Sequence, residues 1–193
     1  MSTRIYVDLE TTGIDPEKHE IIEIGAVVFQ GGLEIATFSE LVNPGEAALA
    51  AASRRAMDVN KIDVNEIRSA RPTAVVAEAL REFLRRYPGV LYAFPVEFES
   101  SFLRRSPWHL TSWGDCVMKA VQDVMFFEGA LPVMPDGKPK RPSLGEAAAF
   151  YGVTGCGPAH RSLSDARKTG RIHHEFLLRQ ESEDEARSMG EAS

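Results

Sequence analysis

Long apolar runs are missing from this chain. No stretch of its 193 residues approaches the roughly 18 to 20 apolar positions that a membrane helix needs, so a membrane-spanning role is not expected. The segment Met1 to Arg4 lacks a signal-peptide core, because Ile5-Tyr6-Val7 is short and runs straight into Asp8. Cysteine is scarce: Cys116 and Cys156 have neither metal-ligand spacing nor the density of a disulfide framework. A reducing, cytoplasmic setting is the expectation. A basic excess is also missing. The formal net charge of -6 argues against a nucleic-acid binder that works through a broad basic face. The charge is uneven, however. Glu181, Glu183, Asp184, Glu185 and Glu191 crowd the last thirteen residues against the single base Arg187, leaving a body of 23 acids and 21 bases, net -2. A local basic strip therefore remains allowed. Apolar residues at 44% and charged residues at 26% match a globular domain and exclude a wholly disordered chain.

What is present begins with strands. Arg4 to Glu10 is a short β-rich run, Glu20 to Gln30 a second, and Leu33 to Val42 a third after the tight-turn pair Gly31-Gly32. Residues 46 to 57 are Ala-rich and read as helix. Thr73 to Tyr87 has an amphipathic helical pattern, with Val76, Leu80, Phe83 and Leu84 on one face and a stop at Pro88-Gly89. Val90 to Phe94 reads as a buried strand, Pro95 to Arg105 as a helix, Leu110 to Asp115 as a fifth strand and Cys116 to Phe127 as a helix, with Asp115 its expected N-cap. Residues 129 to 142 form a proline-rich loop carrying Lys138, Lys140 and Arg141. Ser143 and Glu146 have capping-box spacing at the start of a helix running to Tyr151. Glycines 152, 155 and 157 mark a loop, and a last helix is expected from Ser162 or Ser164 to about Gln180. The acidic residues 181–193 read as a disordered tail. Strands first, then alternating helix and strand, indicate an α/β layer with a mixed sheet in residues 1–180.

The chemistry lies in the carboxylates. Asp8 and Glu10 stand at i and i+2 on a strand, so they share a face, and like charges this close call for a compensating cation. The string Asp8-Leu9-Glu10-Thr11-Thr12-Gly13 resembles the first motif of the DEDDh (DnaQ-like) 3′–5′ exonuclease family. Ile21-Ile22-Glu23-Ile24-Gly25-Ala26-Val27 resembles that family's second strand, and His160-Arg161-Ser162-Leu163-Ser164-Asp165-Ala166 resembles its last motif. Ser143 to Val153 is similar to the helix before that motif. The likeness covers about residues 4 to 178. His160 and Asp165 would lie about 140° apart on one helix, so the histidine is expected on the loop and the aspartate on the first turns of the helix. The middle motif departs from the family pattern: Phe98-Glu99-Ser100-Ser101-Phe102-Leu103 puts Glu99 where the family has an aspartate, with Phe94-Pro95 in place of the usual His-Asn pair. Glu97 is a second acid nearby.

The resemblance implies a ribonuclease H-like mixed five-stranded sheet, strands 1–3 antiparallel and then parallel strands, with helices on both faces. It implies hydrolysis of phosphodiester bonds with two divalent cations, Mg²⁺ or Mn²⁺, releasing nucleoside 5′-monophosphates from a 3′ end. Asp8 would bridge both ions, Glu10 and Asp165 would hold the ion on the side of the attacking water, Glu99 would support the second, and His160 would be the general base. Thr11, Thr12 and Gly13 would line the pocket for the terminal nucleotide, with Arg161 also on the substrate. Arg104, Arg105, Trp108, the basic loop and Arg167 are further candidates for holding a strand of DNA or RNA. A homodimer or a replication or repair partner is left open. The alternative reading is a catalytically weakened or inactive nucleic-acid-binding or scaffold module on the same fold, motivated by Glu99.

Overall fold

The computed structural model describes residues 3–190. Its centre is a hairpin of long strands, β1 (Thr3–Thr11) and β2 (Ile21–Gln30), extended by β3 (Leu33–Asn43). All three are antiparallel, and Gly31 and Gly32 close the β2–β3 turn with φ of 57° and 82°, values that favour glycine. Helices α1 (Glu46–Ala50), α2 (Arg54–Asn60) and α3 (Val64–Ser69) follow, then the two-residue β4 (Arg71–Pro72), α4 (Thr73–Arg86) and β5 (Val90–Tyr92). The chain ends in α5 (Val96–Leu103), α6 (Val117–Phe127), α7 (Leu144–Phe150) and the 29-residue α8 (Ser162–Gly190). Strand order is β4-β3-β2-β1-β5, with β4 parallel to β3 and β5 parallel to β1. This is the expected mixed five-stranded sheet, differently assembled.

Alternation along the strands sorts the two faces. Ile5, Val7 and Leu9 of β1 face α4 and α5 together with Ile24, Ala26 and Val28 of β2. Tyr6 of β1 and Val27 and Phe29 of β2 face α6, α7 and α8. By the same alternation Asp8 and Glu10 point to the α8 side. The pairing sets Asp8 opposite Gly25 and Glu10 opposite Glu23. A Cβ on Gly25 would lie 2.3 Å from the Leu163 backbone nitrogen, so the first turn of α8 rests directly on the strand. That close approach carries the start of α8 to the acids of β1.

Several expectations are corrected. Leu110 to Asp115 is not a strand; only an isolated bridge joins Trp113 to Leu91, because Leu110 donates its N–H back to Leu103 and accepts the Trp113 indole N–H. Arg71–Pro72 supplies the fifth strand instead, at an edge where proline's missing N–H is harmless. The helix over 46 to 57 is two helices, since the Ser53 N–H goes to the Thr12 carbonyl rather than into a helical ladder. Helix α3 was not anticipated. Cys116, not Asp115, is the N-cap residue of α6. The acidic segment is helical through Gly190: no proline follows Pro158, and its Glu, Ala and Arg residues favour continued helix. Residues 191–193 of that segment lie outside the described residues. The capping box of Ser143 and Glu146 is formed as expected.

Candidate active site

Strand β1 presents two acids, the loop before α8 presents His160, and the first turn of α8 presents Asp165. Ligand atoms of Glu10, His160 and Asp165 all lie within 4.8 Å of one another. Asp8 is half-buried beside them; burial pushes its carboxyl well above the usual carboxylate range, and Glu99, Asp165, Glu10 and Glu23 push it further. Burial, then Glu23 and Asp165, raise Glu10 to about 7, against a smaller opposite pull from Arg161. Glu99 projects from α5 and is 3% exposed; burial first, then Glu97 and Glu10, raise it to about 8. Its Oε2 is buried without a hydrogen-bond partner.

Glu97 behaves differently. It is exposed and ion-paired to Lys119, which holds its carboxyl below the usual range. The i, i+4 pair Phe98 and Phe102 sets the α5 rotation that separates the two acids, with ring centroids 5.2 Å apart. Glu99 is therefore the acid of this helix that faces the cluster.

His160 has φ 58°, and its backbone N–H donates to Asp165 Oδ2 at 3.0 Å. The other oxygen, Oδ1, accepts Lys168 Nζ at 2.7 Å. Arg161 does not reach toward the cleft. Its Nε donates to Glu23 Oε1 at 2.9 Å, its Nη2 lies 2.7 Å from the same oxygen, and Glu23 Oε2 accepts the Ser162 N–H at 2.9 Å. Sequence reasoning assigned no role to Glu23 or Lys168. The signal for Glu23 was one acid in an otherwise apolar strand; Lys168 looked like any helix-surface lysine.

Beside Glu10 a cleft of about 460 Å³ opens between the first motif and α2. Thr11 and Gly13 line it, and Thr12 is fully buried behind them: the Thr11 hydroxyl donates to the Gly13 carbonyl, and the Thr12 hydroxyl accepts the Glu20 N–H. A Cβ on Gly13 would meet the His19 ring at 2.2 Å, so a side chain here would displace that ring. Ile14, 83% exposed, stands at the lip.

The other strand-holding candidates scatter. Trp108 is core, 3% exposed. Arg105 pairs with Glu17 and Arg167 with Glu34. Arg104 is exposed on the turn after α5. The basic loop walls a separate cavity of about 790 Å³, where Lys140 pairs with Glu146 and Lys138 and Arg141 remain on the rim.

Asp8, Glu10, Glu99 and Asp165 would offer an all-oxygen donor set, and the Glu99 oxygen Oε2, buried without a partner, is open to a cation. Such a set fits Mg²⁺ or Mn²⁺.

A family model described as an exonuclease, RNase T, matches residues 5–173. This chain belongs to the DEDDh-type exonuclease family. It is 29% identical over 181 residues to the DNA polymerase III subunit epsilon of Aquifex aeolicus, covering 91% of this chain and 80% of that protein. It is 29% identical over 179 residues to the PolC-type DNA polymerase III of Thermotoga maritima, covering 91% of this chain and 12% of that one. The chain thus spans only about an eighth of the PolC-type polymerases it matches. Among solved structures, E. coli exonuclease I in complex with a dT13 oligonucleotide aligns with a TM-score of 0.70 at 19% identity, covering 92% of this chain and 41% of that one. A product-bound exonuclease I aligns with a TM-score of 0.75 at 17% identity, covering 94% and 45%. The fold is ribonuclease H-like, and among the described residues no helix is long and apolar enough to cross a membrane.

Proposed function

We propose that the chain is a divalent-metal-dependent 3′–5′ exonuclease acting on DNA or RNA in the cytoplasm, with a replication partner. The observation that carries this reading is the convergence of Glu10, His160 and Asp165 at one end of the sheet, beside a buried, unpartnered Glu99 oxygen. Asp8, Glu10, Glu99 and Asp165 would hold two ions, Mg²⁺ or Mn²⁺, which when bound polarise the scissile phosphate and make water easier to deprotonate. The protein's own residues do the rest. An imidazole nitrogen of His160 takes the proton of the attacking water. The cleft lined by Thr11 and Gly13, with Thr12 packed behind them, holds the terminal nucleoside, with Ile14 available as an apolar lip. Asp165 fixes the His160 backbone through the N–H bond. A replication partner is supported by the relatives named as DNA polymerase III components.

The test uses 5′-labelled single-stranded DNA and RNA with Mg²⁺ or Mn²⁺. A ladder shortening from the 3′ end, abolished by Asp8→Ala, is expected; no shortening with either metal on any substrate overturns the proposal. Glu99, one methylene longer than the family's aspartate, favours a second reading as a catalytically weakened or inactive nucleic-acid-binding or scaffold module on the same fold. Wild-type degradation of nucleic acid eliminates that reading, whereas an inert wild type activated by Glu99→Asp establishes it.

A further inference from the structure

The carboxylate cluster contains one cation that the exonuclease reading does not use. Lys168 lies one turn after Asp165 on α8, and its side chain is only 16% exposed, while that of Asp165 is 12% exposed. A lysine buried to this extent is rare without a partner, and the partner here is Asp165 Oδ1 at 2.7 Å. Asp165 Oδ2 is already taken by the His160 N–H. Both oxygens of this acid therefore hold a donor. The neighbours of Asp165 are acids: Asp8 and Glu10 on β1, and Glu23 beyond, whose own charge is met by Arg161. Among the described residues, Lys168 is the ammonium bound directly to one of the four proposed metal ligands.

We propose that Lys168 is a resident counter-ion for this cluster. It compensates Asp165 while no divalent cation is bound, and it yields Asp165 Oδ1 when a cation arrives. The inference rests on the metal-dependent reading above. Two consequences separate it from an ordinary surface pair. The ammonium holds the acids together in the metal-free protein, and it opposes the incoming cation at close range, so metal affinity is set lower than the four carboxylates alone would give. Activity would then depend on metal concentration over a higher range than in a site without the lysine.

The experiment measures Mn²⁺ binding by electron paramagnetic resonance and thermal unfolding in chelator, on the wild-type chain and on Lys168→Met and Lys168→Arg. Lys168→Met removes the charge at similar length; it is expected to bind Mn²⁺ about tenfold more tightly and to unfold at least about 3 °C lower in chelator, a gap that closes when Mn²⁺ saturates. Lys168→Arg keeps the charge and is expected to stay near wild type in both measurements. Lys168→Gln serves if the methionine variant does not fold. Unchanged Mn²⁺ affinity and unchanged chelator stability in the charge-removing variant overturn the counter-ion role while leaving the nuclease reading intact. Failure of both wild type and variant to bind Mn²⁺ overturns both.

Discussion

Replacing Glu23 with alanine tests how the histidine loop is held. The Glu23 carboxylate is 2% exposed and accepts Arg161 Nε and the Ser162 N–H, each at 2.9 Å. Breaking a fully buried ion pair by removing one partner costs about 3–5 kcal/mol. Two features reduce that here. The Arg161 side chain is 48% exposed, so its guanidinium returns to water rather than staying buried and unpaired. Glu23 also stands opposite Glu10 and repels it, so its loss relieves a like-charge contact. The net is about 2 kcal/mol, which for a chain of this size lowers Tm by roughly 4–8 °C. The kinetic consequence follows from position. Ser162 and Arg161 adjoin His160, so the loop loses its anchor and kcat falls about tenfold, with little change in KM for a labelled oligonucleotide. Glu23→Gln keeps an acceptor for Ser162 and should recover part of both losses. A Tm within about 1 °C of wild type refutes the anchor. A fall in KM would show instead that freed Arg161 binds the strand, as the sequence had suggested.

Three other outcomes are open to measurement. Asp8→Asn should abolish nuclease activity yet raise Tm in chelator by a few degrees, because it removes a charge from a cluster whose burial and mutual repulsion push the carboxyls up; a lower Tm contradicts this. Glu10 at about 7 and Glu99 at about 8 lie above the unfolded value near 4.5, so their contribution to stability is present below pH 4.5 and lost as pH rises through 7 to 8. The Tm gained on adding Mn²⁺ should accordingly grow between pH 6 and 8.5, and a flat profile in a thermal scan series would count against it. Gly25→Ala places a methyl 2.3 Å from the Leu163 backbone nitrogen, which cannot give way locally, so a loss of about 2–3 kcal/mol in denaturant unfolding is expected together with loss of activity.

The acids of the first motif were legible because strand alternation alone puts Asp8 and Glu10 on one face, and the glycine loop told His160 from the helical Asp165. The Ser143–Glu146 box was legible because capping chemistry is local. Glu23 and Lys168 were not. The partner of Glu23 lies 138 residues away, and only the hairpin register reveals that it faces Glu10. Lys168 shows the i, i+3 spacing of countless exposed pairs, and its burial depends on how α8 lies on β2. Leu110 to Asp115 misled for a related reason: its apolar content serves a wall of packed loop, with Trp113 folded back on Leu110, rather than a ladder.

The length of α8 has an electrical consequence. From Asp165 to Glu185 the helix advances about 30 Å, roughly three screening lengths at 0.1 M salt. The cations proposed at the first turn and the exposed acids near the last turns would therefore act on a passing polyanion as separate poles. At that distance the tail would leave the proposed metal site untouched, but with metal bound it would turn the molecule. A nucleic-acid strand would be pushed from the acidic end and drawn to the other, so encounters would be biased in orientation before any contact forms. Dilute salt should sharpen that bias and concentrated salt erase it.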